Sequence, residues 1–243
     1  MKVEGRNSVY ELLKTDKEID KILVQRDLKD DASKRLINVI KSKKVKIQSV
    51  DKYVLEKESE SGRSQGFIAF VSDYKYFDLE DIIDGAKDKD GFIVVLNEVL
   101  DPHNLGSIIR VCECAGVDGI VISKDRSASV SDTVMRISEG ALNHVKVARV
   151  VNINAAIEKV KKEGYWVYGA ELNGGDIYKT DLSGKICLVI GGEDSGIKQL
   201  TKSKCDGIIT IPMLGKVNSL NASVACGIAV YEVVRQRLSG KTK

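Results

Sequence analysis

The sequence predicts an α/β protein of two units, the larger of them built on a parallel sheet. Continuous apolar runs such as Phe92-Ile93-Val94-Val95-Leu96 alternate with helical patterns through residues 91–243. Fully apolar strands between helices mean a parallel sheet covered on both faces. A smaller alternation of the same kind fills residues 1–75. Between the two, residues 76–90 carry 2 basic and 6 acidic side chains, against 17 and 13 in residues 1–75 and 19 and 16 in residues 91–243. The middle piece therefore reads as an acidic, solvated linker, with a short acidic helix on one domain's surface as the alternative.

Periodicity places the elements in order. In the first unit, residues 7–13 are helical and 19–24 form a strand. Leu36, Ile37, Val39 and Ile40 give a helix over 31–42, with Asp30 or Asp31 as its N-cap. Residues 45–50 alternate as a strand, 51–58 are helical, and 66–71 form an apolar run. In the second unit strands are expected at 92–96, 119–122, 165–169, 186–190 and 208–211. Helices are expected at about 105–115, 155–162, 197–203 and 220–238. Trp166 opens a buried strand and is expected in the core. There is no internal repeat and no low-complexity segment.

Composition bounds the class. At about 100–200 residues per domain, a chain of 243 residues holds one large domain or two small ones, and 43% hydrophobic residues suffice for a core. No stretch approaches the roughly 18–20 apolar residues of a membrane span, and the start has no apolar signal region. The five cysteines form no C-x-x-C pair, so neither a disulfide framework nor a zinc site is expected and a reducing, cytoplasmic compartment fits. They are read as structural, with Cys112 and Cys114 facing different ways on one helix. A net charge of +3 is too mild to mark a nucleic-acid binder. The run Lys41, Lys43, Lys44, Lys46 is either a phosphate grip or an ordinary solvated face.

The chemistry lies in three loops at strand ends, where parallel sheets bind ligands. One reads Gly191-Gly192-Glu193-Asp194-Ser195-Gly196. A dinucleotide fingerprint wants glycine where Glu193 stands, and a P-loop wants Lys-Ser/Thr where Ile197-Lys198 follow, so phosphate cradling is disfavoured. An acidic loop entering a helix suits a neutral hydroxyl or a cation, such as the sulfonium of S-adenosylmethionine. Alternatively, Glu193 and Asp194 simply cap the next helix. A second loop reads Asp101-Pro102-His103-Asn104-Leu105-Gly106, with Arg110 farther up the same helix. The third runs Ile211-Pro212-Met213-Leu214-Gly215-Lys216-Val217-Asn218 and enters a helix through Ser219-Leu220-Asn221-Ala222-Ser223. The chain's two prolines both fall in these loops.

In order and spacing, the three segments resemble the signature motifs of the SpoU (TrmH/RlmB-like) branch of the SPOUT RNA methyltransferases. Val3-Glu4-Gly5-Arg6-Asn7 and Gln65-Gly66 resemble the start and end of that family's substrate-binding domain, related in fold to ribosomal L30e-type proteins. Ser64 departs from it, since relatives usually carry histidine there. The resemblance implies a SPOUT domain over 91–243 whose C-terminal trefoil knot holds S-adenosylmethionine bent. It further implies transfer of the methyl group to a ribose 2′-hydroxyl of structured RNA. Gly191, Ile211 and Leu220 match the cofactor-contacting positions. Asn104, Arg110, Glu193, Ser219 and Asn221 match the catalytic and substrate positions, and no metal is implied.

Arg110 is the family's activator of the hydroxyl. A free guanidinium is a poor base, so either a nearby cation makes it one, or it stabilises the forming alkoxide by its charge. His103 is read as a turn residue and His144 as structural. The resemblance also implies a homodimer with sites at the subunit interface. The two-domain plan favours the branch acting on a guanosine of large-subunit (23S) rRNA. Alternatives are a tRNA or a resistance-type rRNA adenosine as target, or a non-catalytic RNA-binding or ribosome-assembly factor on the same scaffold.

Overall fold

A computed structural model describes residues 1–15, 17–72, 74–193, 196–217 and 219–240. Asp194 and Ser195 of the glycine loop and Asn218 of the third segment lie outside the described residues. The chain divides into two compact units, Met1–Lys75 and Tyr76–Lys243.

In the first unit the order is β1 (Lys2–Glu4), α1 (Arg6–Leu12), β2 (Glu18–Gln25), α2 (Asp31–Ser42), β3 (Ile47–Val50), α3 (Lys52–Glu58) and β4 (Phe67–Ser72). The sheet runs β1-β4-β2-β3, with β2 and β3 parallel and both pairings of β4 antiparallel. Strand alternation splits the side chains between two faces. Ile22 and Val24 meet Val9, Leu12, Leu36 and Ile40 of α1 and α2, whereas Leu23 and Ile68 meet Leu55 of α3. Asp30 is the N-cap of α2, its carboxylate accepting from the Ser33 amide at 2.9 Å.

The signature residues of this unit converge on one loop. Gly5, at φ 93°, turns the chain from β1 into α1 where a side chain would press on the Arg63 carbonyl. The Arg6 amide donates to Gln65 Oε1. Glu4 accepts from the Ser59 hydroxyl and from the Glu60 and Ser61 amides, with Ser61 Oγ as a further partner. Burial opposes ionisation of Glu4, but these hydrogen bonds outweigh it and hold its carboxyl down at about 2.

The second unit contains α4 (Leu79–Gly85), β5 (Phe92–Asn97), α5 (Pro102–Cys114), β6 (Gly119–Ser123), α6 (Asp132–Ile137), β7 (Lys146–Val150), α7 (Ile153–Lys162), β8 (Trp166–Asp176), β9 (Ile186–Gly191), α8 (Gln199–Lys202), β10 (Gly207–Thr210) and α9 (Ala222–Gly240). Its sheet runs β10-β8-β9-β5-β6-β7 with every pairing parallel. The chain winds one way from β5 to β7, then returns to build β8, β9 and β10 on the other side. The order thus reverses between β5 and β9, which is where such sheets open a crevice beyond their carboxyl ends. Asn97 and Gly191, the last residues of β5 and β9, are register partners.

Some expectations need correction. The acidic stretch is not a solvated linker: α4 buries Leu79, Ile82 and Ile83 in the second unit's core and exposes Glu80, Asp81 and Asp84. Asp81 also closes a capping box with Asp78, so an amphipathic helix hides behind a net acidic composition. Trp166 is 59% exposed, because it opens β8 on the side opposite Val167, whose side chain takes the core position. Helix α5 starts at Pro102, earlier than its periodicity suggests, because Asp101 caps it by accepting from the His103 amide at 2.8 Å. Strand β7 and the short α6 were not anticipated. The Lys-Val-Ala-Arg-Val run of β7 is a sheet-edge strand whose charges mask its alternation.

Candidate active site

The loops after β5 and β9 are fastened together at the switch point. The Asn97 carbonyl accepts from the Gly192 amide at 2.9 Å, and its side-chain oxygen accepts from the Lys198 amide at 2.9 Å. A Cβ on Gly192 would lie 2.7 Å from the Glu98 carbonyl carbon, and one on Gly191 would lie 2.6 Å from the Ile197 amide nitrogen. Both glycines are therefore required by the protein's own backbone, which closes on itself at this point. Gly196, at φ 59°, completes the turn and leaves room for the Glu171 carboxylate where its side chain would stand.

A cavity of about 330 Å³ opens beside this turn. It brings together Gly191, Glu193, Ile211, Ser219 and Leu220, five of the residues singled out in the sequence. Ile190, Ile209 and Met213 add apolar wall. Asn104, buried at the start of α5, reaches the same place by donating from Nδ2 to Glu193 Oε1. Thus α5's first turn and the glycine loop share one hydrogen bond.

Two expected residues are not gathered here. Asn221 accepts from the Ser223 amide at 2.9 Å and from its hydroxyl at 2.6 Å, serving the first turn of α9. Arg110 leaves the exposed face of α5 with its side chain 53% accessible, and pairs through Nη1 with Glu139 Oε1 at 3.0 Å.

Glu171 was missed. The strand was expected to end at residue 169, but β8 continues to Asp176 and carries Glu171 to the cavity wall. Its carboxylate accepts from the Ile197 and Leu172 amides, each at 3.0 Å, and pairs with Lys202 Nζ at 3.2 Å. Burial works against its ionisation, yet the two amides and Lys202 prevail and keep the carboxyl below its usual range. Only a correct strand length could have flagged it. Glu98 is also notable: a non-glycine at φ 65° whose carboxylate meets Lys198 at 2.6 Å and Arg126 at 3.6 Å.

The remaining candidates stay away from the cavity. His103 and His144 are exposed. Cys112, Cys187 and Cys226 are buried, and burial raises the Cys112 and Cys187 thiols and brings Cys205 to about 11. Such thiols are poor nucleophiles. Lys41, Lys43, Lys44 and Lys46 all face solvent. Among the described residues no cluster could hold a metal ion, and no helix is long and apolar enough to cross a membrane.

Apolar walls and close backbone make a pocket for a flat apolar group, and Glu193 is its carboxylate candidate for a cation, since Glu171 is paired with Lys202 on the same wall. Comparison with known proteins shows the family. Residues 91–231 match the SpoU rRNA Methylase family, and residues 2–77 match the RNA 2′-O ribose methyltransferase substrate binding family. A relative from Staphylococcus haemolyticus, named for the TrmH family of tRNA/rRNA methyltransferases, is 40% identical over 97% of this chain and 95% of its own. YacO of Bacillus subtilis, named for the same family, is 39% identical over the same shares. In fold, the chain resembles the SpoU methyltransferase AviRb from Streptomyces viridochromogenes, solved with AdoMet. The TM-score there is 0.64 at 24% identity, covering 99% of this chain and 91% of that one. An AdoMet-bound rRNA methyltransferase from Sinorhizobium meliloti gives a TM-score of 0.61 at 23% identity, covering 96% and 86%. A family match over more than half the sequence, with relatives alike from end to end, leads to one assignment: this chain belongs to the SpoU rRNA methylase family.

Proposed function

We propose that the protein transfers a methyl group from S-adenosylmethionine to a ribose 2′-hydroxyl of structured RNA, a guanosine of large-subunit rRNA, and that it does so as a cytoplasmic homodimer. The observation that carries this reading is the Asn104–Glu193 hydrogen bond at the rim of the cavity. It couples two signature loops that lie 89 residues apart in sequence. The cavity's chemistry fits the cofactor. Ile211 and Leu220 would wall the adenine, Gly191 would contribute backbone to the same wall, and Glu193 would face the cationic end. When bound, S-adenosylmethionine supplies an electrophilic methyl group.

Methyl transfer is an in-line displacement: the ribose O2′–carbon bond forms, the carbon–sulfur bond breaks, and the hydroxyl proton leaves to solvent. Positioning is then the protein's main task. Asn104 and Ser219 would orient the ribose, with Glu193 holding Asn104 in place, while Asn221, its side-chain oxygen engaged at the start of α9, would secure the entry of that helix. Arg110 pairs with a carboxylate, Glu139. The role that fits is stabilisation of the forming alkoxide by a fixed positive charge.

The dimer is supported by α9, which is apolar on two faces. One face buries Cys226, Val230 and Val233, while Val224, Tyr231 and Leu238, spaced at sevens, stand 49%, 47% and 64% exposed. An apolar stripe of this kind wants a partner helix. The reading places the sites at the interface between the two copies. It also includes residues 1–75 as the L30e-type RNA grip and a trefoil knot in the C-terminal part of the second unit. The test is calorimetry with S-adenosylmethionine, together with 2′-O-methyl mapping of rRNA and tRNA from cells with and without the gene. Loss of one rRNA methylation is expected. RNA binding without cofactor binding would refute the enzyme reading, and loss of a tRNA methylation would move the target.

A further inference from the structure

The geometry points to Glu139 as a positioning residue for Arg110, delivered by close packing of α6 on α5. The inference rests on the reading above, in which the Arg110 guanidinium serves at the ribose. It begins at Gly106. A Cβ there would lie 2.7 Å from Ile137 Cβ and 3.2 Å from the Val134 carbonyl oxygen. Only a bare backbone on α5 admits α6 this closely. Arg110 follows Gly106 by four residues, about one helical turn, and so leaves α5 on the same face. The chain then leaves α6 through Ser138, whose amide and hydroxyl bond the Val134 and Met135 carbonyls. It passes Glu139 at φ 45° and Gly140 at φ 87°. Two successive left-handed residues swing the Glu139 carboxylate back across α5, where Oε1 lies 3.0 Å from Arg110 Nη1.

The backbone at Glu139 is one that glycine adopts freely and a side chain with a Cβ resists. Its ion pair is largely in solvent, with side-chain exposures of 53% and 63%, and exposed pairs contribute little to stability. Strain without a stabilising return marks positions that serve a site. What the pair does is fix a long, flexible guanidinium. Among the described residues Arg110 has no other ion partner. Without Glu139 it would sample many rotamers, and with Nη1 held, its remaining donors point one way.

The experiment compares wild type, Glu139→Gly, Glu139→Gln, Arg110→Ala and the Glu139→Gly/Arg110→Ala double variant. Each is measured for Tm, S-adenosylmethionine affinity, and kcat and KM for methylation of rRNA fragments. Glu139→Gly relieves the backbone, so its Tm should equal or exceed that of wild type and its cofactor affinity should stay within about twofold. Its kcat should fall about two- to fivefold, as much as an exposed ion pair can bias a rotamer, with KM nearly unchanged. Glu139→Gln, which keeps an acceptor, should recover part of that loss. On the Arg110→Ala background the glycine change should cost nothing more. Undiminished kcat in Glu139→Gly would overturn the inference, as would an equal loss with Arg110 already absent. A lower Tm with weaker cofactor binding would also overturn it, by showing a purely structural role. No methyl transfer by the wild type would instead refute the parent reading, and this inference with it.

Discussion

Replacing Gly192 by alanine puts one methyl group against a part of the molecule that cannot yield. The new Cβ would lie 2.7 Å from the Glu98 carbonyl carbon, where ordinary contact begins at 3.4 Å. The Glu98 carbonyl oxygen lies closer still, so the two loops must part by more than the roughly 0.7 Å that separates these two distances. Glu98 resists because the clash is with its backbone, already held at φ 65°, and because Lys198 grips its carboxylate at 2.6 Å. Moving Gly192 also strains its 2.9 Å hydrogen bond to the Asn97 carbonyl. Overpacking of this kind costs about 1–3 kcal/mol. In a unit of this size that corresponds to a Tm lowered by about 2–12 °C. Glu193 follows directly in sequence, so its hydrogen bond with Asn104 would be displaced, and S-adenosylmethionine affinity should fall at least about tenfold, or 1.4 kcal/mol. Differential scanning calorimetry and cofactor titration read both effects. Gly215→Ala is the control, since nothing lies within 4 Å of its Cβ position. A Gly192→Ala protein with wild-type Tm and wild-type cofactor affinity would refute the close crossing of these loops.

Three other perturbations test separate parts of the reasoning. Arg110→Ala should slow methyl transfer about a hundred- to a thousandfold, leaving a measurable residual rate, while cofactor affinity, measured by calorimetry, stays within a few-fold; undiminished turnover would remove Arg110 from the chemistry. Tyr231→Glu places a charge in the apolar stripe of α9 and should shift the protein from dimer to monomer by sedimentation, and an unchanged mass would show that this face is not the interface. Glu4→Gln should lower the Tm of the first unit at neutral pH. Because the Glu4 carboxyl is depressed from 4.5 to about 2 in the folded chain, its contribution is complete above about pH 4.5. It fades as pH falls toward 2. The Tm gap between variant and wild type should close over that window, and a gap independent of pH would assign the effect to something other than the Glu4 charge.

Local sequence determined much of this protein. Apolar runs placed β5, β6 and β9, since a strand buried on both faces needs no partner to announce itself. Asp30 and the spacing of Leu36 and Ile40 placed α2. The three loops carried their identity in glycines, prolines and a few polar residues, and Gly191, Glu193, Ile211, Ser219 and Leu220 do line one cavity. Net composition misled at α4, where acidic residues on one face concealed Leu79, Ile82 and Ile83 on the other. Short range misled at β8, which continues beyond residue 169, rejoins β10 at Gly175 and Asp176 after a shift of register, and carries Glu171 to the cavity wall. Tertiary structure alone decided the rest. Strand order, not sequence spacing, brings Asn97 beside Gly191. Close approach of α6 to α5 sets Glu139 against Arg110. Such contacts join residues whose separation along the chain carries no signal, so they exist only once the backbone has closed around them.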